Sequence, residues 1–235
     1  MKFNASFMFA RSLIMPKTDR TSSARKSLFG AMICIGLSII PLIVVVSISN
    51  GMIHGMTERI INLSSSHIKA YVAPSIKEVR SADSFGEYAE SLKAVDGVVN
   101  TYPEIDISAL AAGKTKRIGI EIRAVDKDIF NKNKSFMELF TIDEGSIDAF
   151  SSSEEKNIVI GKKMAEDLDV HAGDSIKIIT TRSRKGKITP KLSIFKVSAI
   201  ISSGYQELDR FWIFVPIDKA YSFLSLENAA YNILI

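Results

Sequence analysis

The chain has 235 residues, with 30 Lys plus Arg, 26 Asp plus Glu and one Cys. An apolar share of 46% and a charged share of 24% exclude wholesale disorder, and one cysteine excludes an internal disulfide or a cysteine-rich zinc site. Residues 1–27 carry Lys2, Arg11, Lys17, Arg20, Arg25 and Lys26 against Asp19, so this leader is +5 while the whole chain is +4 and the other 208 residues sum to −1, which argues against a nucleic-acid face on the folded part.

The segment 28–48, LFGAMICIGLSIIPLIVVVSI, is 21 residues without a charge. At 1.5 Å per residue it reaches about 31 Å, enough for a hydrocarbon core of ~30 Å. The run is too long for the apolar region of a signal peptide, and Ile48-Ser49-Asn50-Gly51-Met52 is a poor cleavage site. A retained transmembrane helix is therefore expected. The basic leader 1–27 places the N-terminus in the cytoplasm and the rest outside. Pro41 removes a backbone donor and predicts a bend. Gly30, Ala31, Gly36 and Ser38 offer small surfaces for a neighbouring helix. Cys34 is read as a buried apolar residue.

Met52, Met56, Ile60 and Leu63 are spaced by four, four and three, so the helix is expected to continue as a stalk over 49–66. The stripe either packs on the chain's own outer domain or offers a polarizable face to acyl chains or a partner helix.

From 67 to 235 short apolar runs alternate with helical patterns, which predicts an extracytoplasmic α+β domain. Strands are expected at 67–72, within 98–112, and at 117–125, 157–160, 175–181, 192–202, 211–215 and 231–235. Helices are expected at 84–94, capped by Ser84 with Glu87 three residues on, at 162–168 and at 217–226. Residues 136–147 are mixed, 149–156 reads as a polar loop, and Ala172-Gly173-Asp174 as a turn. A chain that halts on the apolar strand 231–235 reads as unfinished.

No catalytic constellation emerges. His54, His67 and His171 stand without a second ligand at metal spacing. The runs 64–66 and 151–153 lack a nucleophile-elbow context, and Gly161-Lys162-Lys163 lacks the remainder of a phosphate loop. Asp126/Asp128, Asp143/Glu144 and Glu154/Glu155 read as solvated turn residues. The chain is therefore expected to be non-catalytic, with no metal and no cofactor. One surface feature remains: 182–191, RSRKGKITPK, holds Arg182, Arg184, Lys185, Lys187 and Lys191 and no acid. Gly186 can turn a protruding hairpin whose tip is either simply solvated or docks an acidic partner or anionic headgroups.

The order of these features resembles the LolC/LolE-type permeases of the MacB/FtsX-like class of ABC transporter subunits. The likeness rests on the basic leader, the single span, Ser47-Ile48-Ser49-Asn50-Gly51-Met52, and a stalk reaching Leu63 and His67-Ile68. It continues at Ile158-Val159-Ile160-Gly161 with Ala165, Leu168 and Gly173-Asp174, similar to the family's "vlG…LA..L.v..GD.v". It returns at Phe195-Lys196-Val197, Ser203-Gly204 and Asp209 through Val215, similar to "f.V.gi..sG..e.D....v". The resemblance implies a two-lobed, MacB-like outer domain, here incomplete at its C-terminal end, followed in such permeases by three more spans. It implies a cytoplasmic ABC ATPase, a second permease subunit (same or related) and residence in the cytoplasmic membrane. In the lipoprotein-release branch the cargo is a lipoprotein passed to a soluble periplasmic carrier. Asn50, Gly51, Met52, Met56 and Ile60 would then face lipid or cargo. Arg182, Arg184, Lys185, Gly186, Lys187 and Pro190 would lie where one member of the family carries a carrier-recruiting loop. The rivals are a MacB-like exporter or FtsX-like force transmitter, a single-pass sensor or adaptor, and a membrane-tethered hydrolase.

Overall fold

The computed structural model describes residues 8–9, 23–64, 68–113, 116–152, 155–184 and 187–235. The chain divides into two units, the first ending at Glu58 and the second running Arg59–Ile235.

Helix α1 covers Ser23–Ser64 without a break and carries Pro41 inside it. Its stretch Lys26–Thr57 is long and apolar enough to cross a membrane, and none of its most apolar window is buried against the chain. The β-branched runs Ile39-Ile40 and Val44–Val46 are mediocre helix formers in water. In hydrocarbon, where every backbone group needs an internal partner, they are no obstacle. Cys34 is exposed along this helix rather than buried within the chain.

The second unit is mixed α+β, as the alternating patterns imply. Its strands are β1 (Lys69–Val72), β2 (Tyr102–Ala112), β3 (Arg117–Val125), β4 (Thr141–Gly145), β5 (Asn157–Gly161), β6 (Ser175–Arg184), β7 (Lys187–Ser202), β8 (Trp212–Pro216) and β9 (Ala230–Leu234). Its α-helices are α2 (Ala82–Ser91), α3 (Ile129–Lys132), α4 (Lys134–Met137), α5 (Lys162–Leu168), α6 (Gln206–Phe211) and α7 (Ile217–Phe223). Strand order is β1-β9-β2-β3-β8-β5-β7-β4, and β6 pairs with both β2 and β7. The path β2-β3-β8-β5-β7-β6 therefore returns to β2 and closes a six-stranded circuit. Closure removes the free edges that an open sheet would present.

Alternation fills the inside of this circuit. Ile105 and Ile107, Ile120 and Ile122, Ile176 and Ile178, Phe195 and Val197, and Ile213 and Val215 belong to one buried cluster. A second cluster lies on the outward residues Val125, Val159, Ala199, Trp212 and Phe214, covered by Phe130, Phe136, Phe140 and Phe150. The two hydrophobic clusters thus lie on one nine-stranded sheet, and residues 59–235 form a single unit. This arrangement also explains why β3 loses its alternation: Ile122 to Val125 are buried on both faces.

Several local readings are corrected. Helix α2 is capped by Ser81, whose hydroxyl accepts from the Ser84 amide at 3.2 Å, so the true start lies three residues before the expected one. Both serines have a suitable residue three positions on, and the burial of Phe85 and Ala89 selects the earlier start. Residues 149–156 are not all loop, because a 3-10 turn at Asp148–Ser151 buries Phe150 completely. The strand expected from 211 begins at Trp212, because Gln206–Phe211 forms α6. Strand β9 sits between β1 and β2, and these two pairings account for its apolar character. His67, expected to open β1, lies outside the described residues.

Gly161 ends β5 where the main chain of Asp209 passes, and a Cβ there would collide with that carbonyl. Gly161→Ala is expected to cost about 1–3 kcal/mol through overpacking. A thermal melt checks this.

Candidate functional site

The residues singled out on the stalk all lie on α1. Asn50 and Gly51 are exposed, and Met52 and Met56 are 56% and 48% exposed. The Ile60 side chain lies outside the described residues. Leu63, the last of the stripe, is fully buried in the phenylalanine-rich cluster. The stripe is therefore split: its lower end is core and its upper methionines are not.

Around Leu63 the structure assembles a charged site that the sequence reading missed. Arg123 on β3 donates from Nη1 to the Leu63 carbonyl at 2.6 Å. It also donates from Nη2 and Nε to Glu104 Oε2, at 2.6 and 3.2 Å. Its guanidinium lies 4.7 Å from the Trp212 ring centroid and 5.5 Å from that of Phe214. Lys69, on the strand directly after the stalk, donates to Glu104 Oε1 at 2.9 Å and to Asp106 Oδ2 at 2.7 Å. Asn232 on β9 donates to the same Asp106 oxygen at 2.9 Å. Nearby, Arg59 of α1 donates to the Leu139 carbonyl at 3.1 Å.

The electrostatics follow from burial and pairing. Burial opposes the Glu104 charge, but Arg123 and Lys69 outweigh it and hold that carboxyl below its ordinary range. Asp106 is pushed up to about 6, first by burial and then by the neighbouring Glu104 charge. Burial pulls Lys69 down, yet the two carboxylates leave it raised. Between the ordinary Asp value of 3.8 and about 6, the folded protein holds the Asp106 proton that the unfolded chain has released. Stability should therefore fall as pH rises through that window, opposite in sign to the gain from Glu104 below its ordinary 4.5. Asp106→Asn should abolish this fall, and the difference in melting midpoint between the two proteins from pH 4 to 7 isolates it.

The basic segment is mostly ladder and not loop. Strands β6 and β7 stay paired from Ser175↔Lys196 out to Arg184↔Lys187, with Thr181 opposite Pro190. Ile188 and Thr189 favour extended backbone, and among the described residues no strand but β6 pairs with β7 alongside Pro190. Arg182, Lys187 and Pro190 are exposed. Lys185 and Gly186 lie outside the described residues, as does the Arg184 side chain. Lys191 is withdrawn from the basic group: its ammonium donates to the Leu224 carbonyl at 3.0 Å, and burial, then Arg182, lowers its pKa. The outward face of the same ribbon is apolar, with Ile188 76%, Leu192 56% and Ile194 51% exposed.

Other candidates take structural roles. His171 Nδ1 lies 3.2 Å from Glu144 Oε2, so that histidine does have a carboxylate beside it. The paired carboxylates are more than solvated: Asp126 and Asp128 meet Lys132, Asp143 meets Lys162, and Glu155 meets Lys196. Glu154 and His67 lie outside the described residues. Asp209, which opens the Asp209–Val215 stretch quoted for the resemblance, is buried and accepts from the Ser203 amide and from the Ser202 and Ser203 hydroxyls. Its conspicuous spacing therefore closes a turn. Among the described residues no three His, Cys, Asp or Glu side chains are grouped to hold a metal.

A family model, described as the MacB-like periplasmic core domain, matches residues 28–235. The chain belongs to this family. The MacB-like domain is of the ABC transporter permease type, which implies membrane association and a partner ATPase. The chain is also similar to the extracellular domain of the noncanonic ABC-type transporter YknZ from Gram-positive bacteria, at 19% identity and a TM-score of 0.44, over 70% of this chain and 79% of that one. Its similarity to the periplasmic region of MacB from Actinobacillus actinomycetemcomitans is 11% identity at a TM-score of 0.39, over 63% of each chain. No curated protein matches.

Proposed function

We propose that this MacB-like chain is a non-catalytic permease subunit that couples ATP hydrolysis in a partner to release of lipoproteins from the cytoplasmic membrane. One observation carries the reading. The apolar helix exposes Met52 and Met56 in the last two turns of its membrane-length stretch Lys26–Thr57 and runs on unbroken until its end is buried in the outer domain at Leu63. An unbranched thioether pair suits a lipid chain better than a fixed protein partner. Several acyl chains anchor strongly, at about 0.8 kcal/mol per buried CH₂, so extraction calls for a driven step. The N-terminus lies in the cytoplasm, and Asn50, Gly51, Met52, Met56 and Ile60 face lipid or cargo. A second permease subunit completes the pair.

The β6–β7 ribbon serves as the docking element for a soluble carrier. Arg182 and Lys187 supply charge on one face of the ribbon and Ile188 and Leu192 apolar contact on the other, so an acidic partner would have to grip the ribbon from both sides.

The test is depletion of the protein followed by fractionation of the membranes. Triacylated lipoproteins should accumulate in the cytoplasmic membrane, and Met52→Asp with Met56→Asp should reproduce this without loss of ATPase co-purification. Normal lipoprotein distribution after depletion would leave an exporter or a force transmitter as the better reading. Reversing Arg182 and Lys187 to Glu should weaken carrier capture about tenfold or more while leaving the melt unchanged.

A further inference from the structure

The last turn of α1 ends in carbonyls that have no partner within the helix, and α1 carries no basic residue in that turn to meet them. Arg123, 60 positions later in the sequence, supplies the donor. Its guanidinium is held by several partners: Glu104 takes two of its N–H groups, it lies over the Trp212 and Phe214 rings, and Leu63 takes a third N–H. Arg123 is 3% exposed and Glu104 is fully buried, so water does not compete for these bonds. Lys69 extends the same network to the strand that follows the stalk, and Arg59 adds a second tie at Leu139.

We propose that Arg123 is the positioning residue that fastens the end of the stalk helix to the outer sheet, so that the final turn of α1 and the sheet move as one piece. This rests on the permease reading, in which displacement of the stalk has to reach the domain. A planar fork reaches the carboxylate and the helix-end carbonyl at once. A lysine at the same place is a point donor on a flexible stem and satisfies one of them at a time.

The experiment uses the full chain in lipid nanodiscs, in a Cys34→Ser background, with spin labels at Ile61→Cys and Lys177→Cys. Both positions are exposed. Pulsed electron resonance reads the width of the distance distribution, and hydrogen exchange over 195–201 reports whether the sheet stays folded. The parent is expected to give one narrow distance. Arg123→Lys is expected to give a distribution at least about twofold broader, with sheet protection retained. If Arg123→Lys loses sheet protection, the double variant Arg123→Met/Glu104→Met decides, since apolar replacement of both partners keeps such sites folded. An unchanged width in a folded variant, or a broad parent, overturns the proposal. The measurement needs neither ATP nor cargo. A failed lipoprotein-release assay beside a narrow parent and broad variants would sink the transport reading and leave the joint standing.

Discussion

Replacing Arg123 with methionine alone is expected to destabilise the outer domain by about 3–5 kcal/mol, among the largest effects of any single substitution in it. The loss does not measure the worth of the ion pair. Glu104 is fully buried, and without the guanidinium its one remaining cation among the described residues is Lys69, which it shares with Asp106. The Leu63 carbonyl loses its donor in the same step. Leaving a charge and a helix-end acceptor stranded in low dielectric costs far more than the intact pair gains. The double variant Arg123→Met/Glu104→Met should therefore recover most of the loss, because no unpaired charge remains where the two side chains stood. Trp212 is the chain's only tryptophan and sits 4.7 Å from the guanidinium, so its fluorescence in a urea titration reads both variants directly. A cost below about 1 kcal/mol for Arg123→Met would mean that water reaches Glu104 and that the cluster is not a closed network.

The fold was legible where periodicity is local and the site was hidden where it is not. Arg117–Val125 and Lys162–Leu168 fall on their expected bounds because each is set by its own alternation or capping neighbourhood. The start of α2 was displaced because Ser81 and Ser84 offer equivalent caps to a reader who cannot see which register buries Phe85. The hairpin was read as too short because five cations were taken to mean loop, whereas the backbone pairs regardless of side-chain charge when, as at Arg182 and Lys187, the charges stay exposed. Its apolar outward face escaped notice for the same reason. The joint was hidden more deeply. Glu104, Asp106 and Arg123 lie on ordinary-looking strands, and nothing in a linear pattern states that the helix end at Leu63 lands on them. A signal was present: Glu104 and Arg123 both stand among apolar strand residues, where a charge calls for a partner.

Phe214→Ala is the second large effect, at about 3–5 kcal/mol. Phe214 is buried on β8, and its ring meets Phe130, Phe136 and Phe140 at centroid distances of 5.7, 5.9 and 5.6 Å, all close to perpendicular. It also meets Trp212 at 6.4 Å and the Arg123 guanidinium. These partners come from α3, α4, the segment after α4, and β3, so no single element can shift to fill the hole. The cost therefore combines lost transfer energy, a cavity and several edge-to-face contacts. At about 2–4 °C per kcal/mol for a domain of this size, the melting midpoint should drop by roughly 6–20 °C. Val99→Ala, at a residue 81% exposed, should leave it unchanged. Leu63 packs in the same cluster, so Phe214→Ala should also speed hydrogen exchange in the last turn of α1 relative to the strands lining the inner core. A small loss of stability with unchanged exchange at 59–64 would show that the cluster collapses around the vacancy, and that the stalk's seat depends on Arg123 more than on the rings beneath it.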